Sequence, residues 1–367
     1  MKLGILGGGQ LAQMLAEAAR PLGVECTVLD PTPDAPATRH ARQICAAYDD
    51  KAALEELAAN VDVATYEFEN VPEIAATTLA SKVPLRPLPI ALTTSQDRLH
   101  EKSMFRALQI PTAPFRQVDS AADLEQAVRE VGLPAVLKTR RLGYDGKGQL
   151  VLRTESDLKG AFEKLGNVPC ILEGFIRFER ELSLVCVRAR SGETKFYPLT
   201  QTIHESGILR MTVSPAPRVS DALSKMAREY GERVLNHLYY VGTLALELFE
   251  SNGALLANEI APRVHNSGHW TIEGTRTSQF ENHVRAVMDL PLGDIEPVRP
   301  SVMLNVLGDA PSNEDVATIR GAAFHLYGKS PARLRKIGHI TLVDDADGTF
   351  EQRVESLRAM IAKSALL

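Results

Sequence analysis

Apolar and polar positions follow two rhythms along this chain, and the change between them divides it. Through residue 90, short apolar runs alternate with stretches of helical spacing. The pattern predicts strands over 2–6, 25–29 and 61–66, with helices over 10–20 and 51–59 between them. Such alternation belongs to a doubly wound α/β unit. Pro84, Pro87 and Pro89 then mark a linker, and a helix over 97–108 opens the next unit. There Ser120, with Asp123 three residues later, has the form of a capping box, and Gly132 suits the helix end. The chain next enters a strand that ends at Lys138, and Thr154 and Gly166 bracket a further helix. From Ile171 onward strands dominate, at 170–172, 182–189, 195–198, 244–249, 254–260, 302–307 and 339–343, before a closing helix over 352–363. The expected division is 1–92, a Rossmann-like domain; 93–172, a small α+β unit; and 173–367, a β-rich domain.

Two segments carry chemistry. Lys138 is followed by Gly143, Tyr144, Asp145, Gly146, Lys147, Gly148 and Gln149. A Lys at a strand end supplies a point charge for phosphate, and the glycines allow a loop to fold closely over an anion. A plain strand and surface loop is the alternative. The second segment is a hairpin, 244–249 and 254–260 around Ser251-Asn252-Gly253, with Glu247 and Glu259 embedded in its apolar arms. A two-residue loop sets Glu247 against Asn258 and turns Glu259 away, whereas a three-residue loop sets the two acids opposite each other. The second register is expected. Two facing carboxylates then call for a divalent cation, and magnesium suits such hard oxygen donors. Separate pairing of each acid with Arg or Lys is the other possibility.

Composition narrows the class. Of 367 residues, 44% are hydrophobic and 24% charged, a globular balance with room for two or three domains. A net charge of −5 speaks against general nucleic-acid or anionic-membrane binding, and no apolar run is long enough to span a bilayer. The start reads as a first strand, not a signal peptide. Cys26, Cys45, Cys170 and Cys186 lack metal-site spacing and are expected as reduced, mostly buried thiols of a cytoplasmic protein.

Gly7-Gly8-Gly9-Gln10-Leu11-Ala12 follows the first strand and satisfies G-x-G-x-x-A, with Asp30 ending the second strand. This is a dinucleotide fingerprint in plausible context, so an NAD or FAD oxidoreductase is one reading. The α/β pattern stops too early for a full dinucleotide fold. A monophosphate or a sugar at this turn is preferred.

Taken together, these units resemble the ATP-grasp enzymes. Closer wording lies in Tyr66-Glu67-Phe68-Glu69-Asn70-Val71, Gln96-Asp97-Arg98-Leu99, the Gly143 loop and Phe178-Glu179-Arg180-Glu181-Leu182-Ser183. It continues through His204, the run from Asn258 to His269, and Arg335-Lys336-Ile337-Gly338-His339. In that wording the chain is similar to the 5-(carboxyamino)imidazole ribonucleotide synthetase family of purine biosynthesis. The resemblance implies ATP-dependent carboxylation of 5-aminoimidazole ribonucleotide by bicarbonate through carboxyphosphate, with Mg2+ held by Glu247 and Glu259. It implies an ATP site of Arg98, Lys138, Gly143 to Gln149, Glu173, Gly174, Phe175, Ile176, Glu181, His204, Asn258 and Glu259. The segment Glu173 to Ile176 would read adenine through its backbone, and Glu181 would accept from the ribose.

The ribonucleotide is expected between the first and last domains, on Gln10, Glu67 and Glu69, with Lys329, Arg335 and Lys336 on its phosphate. On composition alone those three cations are equally a solvated charge run. Tyr144, Asp145, Arg263 and His265, near Asn266, are expected to position the carboxyl donor and the attacking amine, with Lys329 beside them. Thr202 stands where the family pattern has Asn, and Ala332-Arg333-Leu334 replaces an Arg-Pro-Gly-like approach. A formate-using transformylase, another carboxylate–amine ligase and a non-catalytic nucleotide sensor are the remaining readings. A homodimer is expected from the resemblance.

Overall fold

The computed structural model describes residues 1–143 and 148–364. Its first sheet has four parallel strands, in the order Arg42–Ile44, Glu25–Leu29, Lys2–Leu6, Val63–Tyr66. Helices Gln10–Ala19, Lys51–Asn60 and Glu73–Ala80 cover it. Leu3, Ile5 and Val28 face Leu15 and Ala16 of the first helix, while Leu6, Leu29 and Tyr66 pack toward Leu54, Leu57 and Leu79. Burial on both faces explains why these strands read as unbroken apolar runs. It also leaves the C-terminal strand ends, at Gly7, Asp30 and Glu67, as the place where polar groups gather.

The small sheet runs Phe115–Val118, Cys170–Gly174, Ala135–Thr139, Gln149–Leu152. Helix Ala121–Val131 starts on the Ser120 cap as expected, its hydroxyl accepting from the Asp123 N–H at 3.1 Å. The expected helix between Thr154 and Gly166 is instead two short pieces, Glu155–Leu158 and Ala161–Lys164, separated by Gly160 at φ +72°. Strand Cys170–Gly174 runs across the expected boundary at 172.

The third sheet has nine strands: Ala254–Ala261, Gly242–Ser251, Arg180–Arg188, Thr200–Glu205, Ile208–Ser214, Ser301–Leu307, Lys336–Val343 and Ala322–Leu326, with Thr194–Phe196 paired to Arg180–Arg188. The C-terminal segment therefore continues the same sheet. Beneath it lies the largest apolar cluster, where Leu184, Leu246 and Leu255 meet Met104, Phe105 and Val234. Helix Arg98–Ala107, assigned above to the small unit, thus has its apolar face in this larger core. Strand dominance after 171 is also incomplete, because Asp221–His237 is a 17-residue helix capped by Ser220. Among the described residues no helix is long and apolar enough to cross a membrane.

Candidate active site

Register across the large sheet builds the site. Glu247 lies opposite Glu259 on one side and Ser183 on the other, and Glu181 lies opposite Thr202. Side chains two apart on a strand point the same way, so Glu259, Glu247, Ser183, Glu181, Thr202 and His204 share one face. The facing of the two acids does not come from a three-residue loop. Asn252 and Gly253 form a two-residue turn, both at positive φ (51° and 74°), and Ser251 pairs with Ala254. Asn258 is then the extra residue of a bulge, which carries Glu259 back opposite Glu247.

Cations ring the pair. Arg98 Nη1 reaches Glu259 Oε2 at 3.0 Å, and its Nη2 donates to the Gly143 carbonyl at 3.1 Å. Asp97 caps that helix by accepting from the Leu99 N–H, and it takes Arg140 in two bonds of 3.0 and 2.7 Å. Lys138 Nζ rests on Glu173 Oε2 at 3.0 Å. Burial works against charge on Glu259, but Arg98 and Lys138 outweigh it and hold its carboxyl below the usual range. For Glu247 the balance goes the other way: burial, then the charge of Glu259, outweigh His204 and push its carboxyl up to about 8. His265 sits beside it, Nε2 to Oε1 3.4 Å. Burial and then Arg263 hold His265 well below its ordinary pKa. The Ser267 N–H donates to His265 Nδ1 at 3.3 Å, which places the ring proton on Nε2, toward Glu247. This is a contact of two neutral groups, not an ion pair. His204 differs. Burial opposes its charge, yet the 2.6 Å bond to Glu181 raises its pKa, so one oxygen of Glu181 is already engaged.

The adenine-reading segment is only half strand. Glu173 and Gly174 end their strand, whereas Phe175 and Ile176 lie in the connection beyond it. The Gly174 and Phe175 N–H groups donate to the Pro114 and Pro134 carbonyls, so among these three donors the Ile176 N–H is the one left for a base. Gln149 is exposed and lies opposite Lys138. Gly148 takes φ +71°, and a Cβ there would come within 2.7 Å of Thr139 Oγ1. Tyr144, Asp145, Gly146 and Lys147 lie outside the described residues.

A second cluster gathers at the ends of the first sheet. Lys329 Nζ donates to Gln10 Oε1, and Arg263 pairs with Glu69. The glycine turn is filled by the chain itself. The Gly8 N–H donates to Asp30 Oδ2 at 2.8 Å, and the Gly9 N–H to Glu67 Oε1 at 2.9 Å. A phosphate there would meet two carboxylates, so neither a pyrophosphate nor a monophosphate fits this turn; of the preferred ligands, only the sugar survives. Asp30 also accepts from Tyr48 Oη at 2.9 Å, which removes it as a free ribose acceptor. Arg335 is exposed and donates to the Ser330 carbonyl, and Arg333 is exposed as well. Asn266 exchanges two amide bonds with Asn305, at 2.9 and 2.6 Å, so its side chain is tied down.

Comparison with known proteins follows the same three parts. Residues 1–96 match the ribonucleotide synthetase preATP-grasp domain, 103–280 the ATP-grasp domain, and 301–353 the phosphoribosylaminoimidazole carboxylase C-terminal domain. An N5-carboxyaminoimidazole ribonucleotide synthase of Pseudomonas aeruginosa is 52% identical over 98% of this chain and 99% of its own. The chain belongs to the N5-carboxyaminoimidazole ribonucleotide synthase family. A crystal structure of such a synthetase from Thermus thermophilus superposes with a TM-score of 0.94 at 49% identity, covering 98% of both chains. One from Aspergillus clavatus, in complex with ADP and 5-aminoimidazole ribonucleotide, superposes at 0.91 with 33% identity, covering 99% of this chain and 98% of that one.

Synthases of this ATP-grasp family use ATP with Mg2+, and the donors present fit that ion. Glu247 and Glu259 offer hard oxygens, while among the described residues no three acidic, His or Cys groups form a ready cage. An ion that keeps waters and completes its shell with phosphate oxygens suits such a half-built site. In this synthase a cation held by the pair would have to displace the Glu247 proton. Because that carboxyl is raised to about 8, Mg2+ uptake with ADP is expected to release a proton, and apparent affinity to climb from about pH 6 to about pH 8. Calorimetric titrations in buffers of different ionisation heat check this; no proton release near neutrality would contradict it.

Residues beyond those expected from the sequence support the synthase site. Gln279 brackets His265 by accepting from its N–H at 3.0 Å and donating to its carbonyl at 2.7 Å. Ser183 and Ser267 join at 2.7 Å beneath the imidazole, and Lys102 backs Glu173. The Ser278-x-x-Glu281 cap was a usable signal for the helix that carries Gln279.

Proposed function

We propose that the chain catalyses ATP-dependent carboxylation of 5-aminoimidazole ribonucleotide by bicarbonate, through carboxyphosphate, giving 5-(carboxyamino)imidazole ribonucleotide, ADP and phosphate. The observation that carries it is the Glu247–Glu259 pair, with Arg98 on Glu259, Lys138 on Glu173, and the Lys329–Gln10 contact at the ends of the first sheet. Bicarbonate is a poor electrophile, and its activation requires charge neutralisation on the transferring phosphoryl group. Magnesium on the two acids supplies part of that. Lys138 and Arg98 supply fixed positive charge, and the loop from Gly143 to Gln149 is assigned to cover the phosphates and exclude water.

Arg263 and His265 are assigned to the carboxyl donor. Arg263 brings charge from its pair with Glu69, and neutral His265 presents an N–H beside Glu247. Lys329, with Arg335 and Lys336, is assigned to the ribonucleotide phosphate. Glu67 and Gln10 are assigned to the ribose and amine side, where the filled glycine turn disfavours a second anion. We place the enzyme in the cytoplasm as a homodimer, which light scattering of the purified chain tests.

A coupled ADP-release assay with each substrate omitted in turn is the decisive experiment. Turnover is expected only when ATP, bicarbonate and 5-aminoimidazole ribonucleotide are all present. Release driven by formate in place of bicarbonate would assign the chain to a transformylase.

A further inference from the structure

Helix Arg98–Ala107 turns three charged side chains inward, with Glu101 and Lys102 one turn beyond Arg98. Arg98 holds Glu259, and Glu101 Oε1 accepts from the Ile260 N–H at 2.7 Å. The third, Lys102, is nearly sealed, with 3% of its side chain exposed. Its Nζ donates to Thr112 Oγ1 at 3.0 Å and to the Ala257 carbonyl at 3.4 Å, and lies 3.5 Å from Glu173 Oε2. That same oxygen takes Lys138 Nζ at 3.0 Å, and the Lys138 side chain keeps 16% exposure. Glu173 Oε1 is buried and has no hydrogen-bond partner in the structure.

One carboxylate oxygen therefore stands between two ammonium groups, one in the core and one at the nucleotide site. A sealed ammonium is costly unless its charge is matched. Lys102 is too deep to touch a ligand, so its charge acts only on its neighbours. Without it, Glu173 would have Lys138 as its sole cationic contact, and a full pair would hold that lysine back from an anion. With it, Glu173 is balanced from behind. Burial opposes ionisation of Glu173, yet Lys102 and Lys138 together keep its carboxyl down at about 2.

We propose that Lys102 is a positioning residue which neutralises Glu173 from the core side and so leaves the Lys138 charge free for nucleotide phosphate. The proposal rests on the assignment of Lys138 to the phosphates, and the test separates the two. Mg·ADP affinity is measured by calorimetry on the full chain, with KM for ATP and for 5-aminoimidazole ribonucleotide, in K102M, E173Q, K102M/E173Q and K138M. Expected results are roughly tenfold weaker Mg·ADP binding and a higher ATP KM in K102M, and recovery to within about threefold in the double variant. The KM for the ribonucleotide should stay within about twofold of the parent.

A purely structural lysine would give a double variant as weak as K102M or weaker, which would overturn the proposal. Unchanged affinity in K102M would do the same. Should K102M fail to fold, the double variant, which leaves neither a sealed ammonium nor its carboxylate, still decides: binding tenfold weaker than the parent overturns the proposal. If K138M itself binds Mg·ADP normally, the phosphate assignment fails, and the proposal falls with it for that separate reason.

Discussion

Replacing Glu259 with Gln is expected to lower kcat/KM for ADP release by roughly a thousandfold, the scale of several kcal/mol of charge stabilisation at a transferring phosphoryl group. Gln keeps the size and the strand position, so packing is preserved. What goes is one of two hard anionic donors, and with it the partner of Arg98 at 3.0 Å. Glu247 compensates only in part, its raised carboxyl reflecting burial first and the neighbouring Glu259 charge second. Freed of that charge it would ionise more readily, yet it would remain a single acid facing an amide. The coupled assay at saturating Mg2+, with thermal unfolding as a control for folding, measures the effect. A loss below tenfold in a folded variant would remove the metal role from this hairpin.

Gly268→Ala should cost about ten- to a hundredfold in kcat while substrate KM values change little, although the residue touches no assigned ligand site. No strained backbone is involved, since Gly268 lies in an ordinary turn of the Asn266–Gly268 helix. The reason is space. A Cβ there would lie 2.6 Å from Gln279 Oε1 and 2.7 Å from its Cδ. Gln279 is fully buried and bound at both ends to the His265 main chain, with a further 3.3 Å contact to His269 Nδ1. It cannot yield without releasing His265. Overpacking of this kind costs about 1–3 kcal/mol in stability, so the variant should remain folded but melt earlier. Kinetics that match the parent, with the melting shift present, would show that His265 needs no such bracket.

Particular residues show where the sequence was legible. The parallel first sheet followed from apolar runs, and the Ser120 cap fixed a helix start. Helix Asp221–His237 was equally readable, with Ser220 as cap and Leu223, Ala227, Tyr230 and Val234 along one stripe. The facing of Glu247 and Glu259 was reached by the wrong route. Loop length alone cannot show a one-residue bulge, which carries no compositional mark at Asn258. The glycine turn failed for another reason. Its N–H groups are claimed by carboxylates 22 and 58 residues away, Asp30 and Glu67, and no local pattern reveals such a filling. Lys329 with Gln10, 319 positions apart, and the Gln279 bracket are likewise products of tertiary placement.

The unbroken large sheet has a consequence for how the molecule could be taken apart. Strand Ser301–Leu307 is the neighbour of Ile208–Ser214, and Lys336–Val343 follows it. Excising everything after the ATP-grasp portion would bare the ladder of main-chain donors and acceptors from Met211 to Ser214, an open seam inviting other chains to zip onto it. The tail that bears Lys329 is thus also the selvedge of the fabric, and removing it would trade a folded half for a sticky one.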